Sequence, residues 1–75
     1  MRLKITEKDV TGKYDWIFVL TDQNRNKYYI MDSLFYEKRN IKNPVSKKEL
    51  DTYYNGLWIT AYTEQIEGKQ IVIDF

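Results

Sequence analysis

The chain has no cysteine and no histidine, and only one proline and three glycines among its 75 residues. Without cysteine there is no disulfide, no thiolate nucleophile and no sulfur-ligated zinc or iron–sulfur centre. Without histidine the commonest metal ligand and the usual near-neutral general base are missing too. Serine-triad, cysteine–histidine and zinc-hydrolase chemistry are excluded together. Gly12, Gly56 and Gly68 stand apart from one another, so no glycine-rich loop can cradle a phosphate. Charge of one sign is also lacking: 12 Lys and Arg face 11 Asp and Glu, a formal net charge of +1. Bulk electrostatics therefore exert no strong pull toward DNA, an anionic membrane or an acidic substrate. The opening stretch Met1-Arg2-Leu3-Lys4-Ile5-Thr6-Glu7 alternates charged with apolar residues and reads as neither a signal peptide nor a membrane span. The cytoplasm is the expected compartment.

What the chain does have is core-forming material. Hydrophobic residues make up 43% and aromatics 16% (seven Tyr, three Phe, two Trp), too much for a disordered chain. At 75 residues the length suffices for one domain, and a single domain over residues 1–75 is expected.

Period-two patterning dominates. Leu3 and Ile5 alternate with Arg2, Lys4 and Thr6, which predicts a strand with one buried and one wet face. Thr11-Gly12-Lys13 reads as a loop, and residues 14–21 form a β-branched and aromatic run apolar on both faces, expected to be a central strand. The polar, Asn-rich residues 22–27 suit a hairpin loop in which Asn accepts left-handed dihedrals, and a third strand returns over 28–32. The periodicity lapses from Ser33 to Val45, predicting a loop. Helix-start chemistry follows: Ser46 as N-cap, Glu49 closing a capping box and Val45 placed to staple against Leu50. Leu50, Tyr53, Tyr54 and Leu57 then share a helical face, and Asn55-Gly56 supplies the stop. Residues 57–63 alternate again as a fourth strand, with Leu57, Ile59 and Ala61 inward and Trp58, Thr60 and Tyr62 outward. Glu67-Gly68-Lys69 makes a turn into a fifth strand over 70–75.

The order β-β-β-α-β-β, carried by the hairpin over 18–32, the helix over 46–56 and the closing hairpin over 56–75, resembles the OB-fold superfamily along the whole chain. The resemblance rests on element order, since that superfamily has no short signature. It implies a mainly β domain, a small five-stranded Greek-key barrel with one short helix between strands three and four. An SH3-like barrel and an unclosed roll of sheet plus one helix are the competing architectures.

In the OB resemblance the outer surface of strands two and three is where single-stranded nucleic acid or oligosaccharide sits. Trp16, Phe18, Tyr28 and Tyr29 lie on those strands. If Ile17 and Val19 point inward, Trp16 and Phe18 form an exposed stacking platform; in the opposite phase both rings belong to the core. Lys38, Arg39, Lys42, Lys47 and Lys48 concentrate positive charge with no acid between Glu37 and Glu49, which can track a phosphate backbone or simply be a solvated surface. Trp58 and Tyr62, outward on the fourth strand, suit a protein interface or self-association, or lie beneath a covering loop. Asp9, Asp15, Asp22, Asp32, Glu64, Glu67 and Asp74 have no catalytic or metal-ligating spacing.

Two functions follow as expectations. One is a non-enzymatic single-stranded nucleic-acid binder, with Trp16, Phe18 or Tyr29 stacking bases and Arg25, Lys27, Lys38 and Arg39 meeting phosphates. The other is a protein-interaction or self-associating module built on Trp58 and Tyr62. Neither requires a cofactor, a metal or a membrane.

Overall fold

A computed structural model describes residues 1–39 and 56–75 of the chain. Their elements run β1 (Arg2–Lys8), β2 (Trp16–Thr21), β3 (Lys27–Met31), α1 (Asp32–Lys38), β4 (Trp58–Thr60), β5 (Tyr62–Ile66) and β6 (Lys69–Asp74). The fold is mainly β, with one helix among the described residues. The six strands form one sheet in the order β4-β1-β2-β3-β6-β5. All neighbouring pairs are antiparallel except β3 and β6, which run parallel through Tyr29 and Ile71.

The alternation of β1 works as its sequence predicts, with Leu3 and Ile5 buried and their neighbours exposed. In β2 four consecutive residues, Ile17 to Leu20, are buried, as befits a strand lying inside the sheet. These residues join Tyr28, Ile30, Phe35, Ala61 and Val72 at the core, and Leu34, Tyr36, Ile59 and Phe75 pack against it.

Four expectations are corrected. The predicted loop after β3 begins instead with helix α1. Its N-cap, Met31, is extended and offers no side-chain cap, but Asp32 in the first turn and Lys38 in the last both suit the helix dipole. The helix is held to the sheet by Phe35, which is 2% exposed and meets Phe18 edge-on at 5.4 Å between ring centroids. The fourth strand is not continuous, because β4 and β5 are separate pairing segments on either side of Ala61. That gives six strands in place of five, and the hydrogen-bonded order does not close into the expected five-stranded barrel. Leu57, expected inward, is 49% exposed, whereas Ile59 packs on the core and Ala61 is fully buried. Of the expected helix over 46–56, residues 46–55 lie outside the described residues, as do Lys42, Lys47 and Lys48; Gly56, its expected left-handed stop, has a φ of 67°.

The turn chemistry is sharp at the last hairpin. Ile66 pairs with Lys69 across the two-residue turn Glu67-Gly68, whose φ values of 50° and 80° are both left-handed. That is the type I′ geometry which matches strand twist. Glycine adopts it freely; a glutamate at φ > 0 costs about 1–2 kcal/mol. In the hairpin between β2 and β3 the left-handed residue is Arg25, at φ 65°, and not one of the asparagines.

Candidate functional site

The site begins with a β-bulge. Trp16 lies opposite Met31, yet Phe18 lies opposite Ile30, so Ile17 is an extra residue on β2. Strict alternation would place Trp16 and Phe18 on one face; the bulge reverses one of them. Phe18 is 1% exposed and belongs to the core, a correction to its expected role in stacking. Trp16 remains half-buried on the other face, with its ring centroid 5.9 Å from that of Tyr29 on β3.

The loop between β1 and β2 adds a third ring. Asp9, 5% exposed, is its organiser. One carboxylate oxygen accepts hydrogen bonds from the Thr11 backbone N–H (3.1 Å) and hydroxyl (2.6 Å), and the other accepts from the Tyr14 N–H (2.8 Å). The Asp9 N–H itself donates to the Ile17 carbonyl at 3.0 Å, tying the loop to the bulge. Tyr14 consequently lies flat on Trp16, with centroids 4.8 Å apart and planes 10° from parallel. Tyr14, Trp16 and Tyr29 form a continuous aromatic surface. A lysine stands at each end: Lys13 Nζ lies 5.7 Å from the Tyr14 centroid and Lys69 Nζ 5.8 Å from that of Tyr29.

Beside these rings opens a cleft of about 260 Å³. Trp16, Tyr29 and Met31 come from β2 and β3, Ile66 and Ile71 form the wall from β5 and β6, and Asp15, Glu67 and Lys69 provide the charged groups. Rings and aliphatic walls with a few charged groups are the ordinary constitution of a small-ligand or single-base pocket.

The other expected residues scatter. Lys27 shares the face of Tyr29 at the far end of β3, with its Nζ 3.7 Å from a Glu7 carboxylate oxygen. Arg25 is exposed in the adjacent turn. Lys38 and Arg39 are not beside Trp16. They line a second cleft, of about 400 Å³, with Arg2, Trp58 and Phe75. There Lys38 Nζ is 2.7 Å from Asp74 Oδ1, and this contact, with the Phe75 N–H, holds the Asp74 carboxyl below its usual range. Trp58 is 45% and Tyr62 61% exposed. Sequence reasoning missed Lys13, Tyr14, Asp15, Ile66, Glu67 and Lys69. The spacing of Tyr14 two residues before Trp16 was a usable signal for the first ring; the approach of β6 to β3 had none.

Among the described residues, no group of three His, Cys, Asp or Glu side chains could hold a metal ion, and no helix is long and apolar enough to cross a membrane. No protein-family model, curated protein or solved structure matches the chain.

Proposed function

We propose that this protein is a non-enzymatic, cytoplasmic binding module that takes single-stranded nucleic acid on the β2–β3 face. The observation that carries the reading is the aromatic surface of Tyr14, Trp16 and Tyr29 beside an open cleft, with Lys13 and Lys69 at its two ends. Each base stacked on such a ring is worth about 1–3 kcal/mol without regard to sequence. Lys13, Lys27 and Lys69 are the cations placed to meet phosphates along this face. Lys38 and Arg39, gathered at the second cleft, have no part in it.

The reading includes an OB-like barrel. β4 and β5 stand at opposite ends of the strand order, yet Ala61 alone separates them in the chain. Counting them as one bent strand gives five strands, with the parallel β3/β6 pair next to the bend. In that arrangement the aromatic surface, the β1–β2 loop and the β5–β6 turn fall where OB-folds bind oligonucleotides.

The test is a fluorescence-anisotropy titration of a labelled single-stranded oligonucleotide. With three lysines neutralising phosphates, log K should fall against log salt with a slope of about −2. Trp16→Leu should abolish binding and Trp58→Leu should leave it intact. Absence of binding at low salt removes the reading. A protein partner is the second reading, favoured by the exposure of Trp58 and Tyr62; binding lost in Trp58→Leu and kept in Trp16→Leu would move the site to that surface.

A further inference from the structure

The cleft beside Trp16 and Tyr29 carries two carboxylates, Asp15 and Glu67, where a site that only gathered phosphates would carry none. Glu67 is also in an unusual place. It occupies the first central position of a type I′ turn, at φ 50°, where Asn or Gly is the strongly preferred residue. The turn is as short as a hairpin allows and is clamped by the Ile66–Lys69 pair, so the backbone beneath Glu67 is fixed. A residue that stands where local conformation disfavours it, at the rim of a cleft, points to a use for its side chain.

Resting on the nucleic-acid reading of this site, we infer that Glu67, with Asp15 at the same cleft, selects bases that present an exocyclic amino group. A carboxylate is purely an acceptor. Cytosine stacked on Trp16 and Tyr29 offers its N4 amino hydrogens to that acceptor, the pairing by which Asp and Glu read cytosine. Thymine and uracil present a carbonyl oxygen at the same position, which faces the carboxylate with like partial charge and no hydrogen to share. Thymine also carries a C5 methyl, which adds to its stacking, so a preference for cytosine falls on the rim.

The experiment compares labelled oligo-dC and oligo-dT of equal length at pH 7.5, with wild type, Glu67→Gln, Glu67→Asn and Glu64→Gln. Glu64 lies on β5, three residues before Glu67, and does not line the cleft. Wild type should prefer dC by about fivefold, the low end for one carboxylate–amino contact. Glu67→Gln and Glu67→Asn should erase that preference chiefly by weakening dC binding. Glu64→Gln should shift both affinities together. Glu67→Asn should in addition raise the melting temperature, because Asn suits the turn, so loss of discrimination cannot be ascribed to damage of the fold. Equal binding of dC and dT by wild type, or an unchanged preference in Glu67→Gln, overturns the inference while leaving the nucleic-acid reading intact. Failure to bind either oligonucleotide overturns that reading and this inference with it.

Discussion

Trp16 and Phe18 are two residues apart on β2 and do opposite work. Phe18 is sealed in the core against Phe35, whereas Trp16 lies between Tyr14 and Tyr29 on the other face. Truncation should separate them in both stability and binding. Phe18→Ala removes a fully buried ring and should cost about 3–5 kcal/mol. Trp16→Ala should cost about 1 kcal/mol, the common value for a single substitution, yet lose oligonucleotide binding. Urea denaturation of the two variants, followed by circular dichroism, measures the difference, and equal costs would show that Trp16 is a core residue after all. The sequence contained both rings and could not sort them. Alternation assigns Trp16 and Phe18 to the same side, and the deciding feature is Ile17 as an extra residue, for which neither glycine nor any other bulge-forming residue is present on β2. Both phases open to β2 keep Trp16 and Phe18 together, and the bulge separates them.

The strands were legible because period two is a strong local signal, and Leu3, Ile5 and Ala61 are buried where the alternation puts them. Helix α1 was not. Leu34 and Phe35 are adjacent and not one turn apart, no Ser, Thr, Asp or Asn side chain caps the start, and Phe35 is held through tertiary packing on Phe18. The hairpin joining β2 to β3 was recognised as a turn, but its organiser is Asp22. One Asp22 oxygen accepts from the Asn24 and Asn26 N–H groups at 2.8 and 2.9 Å; the other accepts from the Asn26 side-chain amide and the Tyr28 hydroxyl, each at 3.0 Å. Led by the Asn26 side chain, these donors hold the Asp22 carboxyl below its ordinary value, while burial, helped by Asp22, pushes Tyr28 up. The signs follow from which form each state favours. Asp22 releases its proton more readily in the folded chain, so its contribution is present above a pH of about 4 and fades as the pH falls through the lower folded value. Tyr28 holds its proton more tightly when folded, so its contribution is present below a pH of about 10 and fades as the pH rises through the raised value. Asp22→Asn should therefore melt lower than wild type at pH 7, and the two curves of melting temperature against pH should converge toward pH 2. Parallel curves across that range would mean that the turn does not depend on the Asp22 charge.

At the scale of the whole molecule the decisive residue is Ala61. Its N–H donates to the Met1 carbonyl at 2.8 Å, continuing the β1–β4 ladder, and the chain then passes directly into β5, which pairs with β6 at the other end of the sheet. The two ends are thus linked covalently through one fully buried alanine. Nothing in the alternation of residues 57–63 marked this break, since Ala61 continues the inward phase and only the pairing partner changes. If the link couples the two ends, Ala61→Leu should lower stability by about 1–3 kcal/mol through overpacking, and the loss should be felt everywhere in the sheet at once. Trp16 on β2 and Trp58 on β4 provide local reporters. In single-tryptophan backgrounds, Trp58→Phe for the first and Trp16→Phe for the second, each fluorescence transition in urea should coincide with that of the backbone by circular dichroism, before and after Ala61→Leu. Coincident midpoints that move together would make β4, β5 and the sheet between them one cooperative unit. A midpoint that moves for Trp58 and stays fixed for Trp16 would show instead that β4 is an independently melting edge and that the binding face on β2 and β3 stands without it.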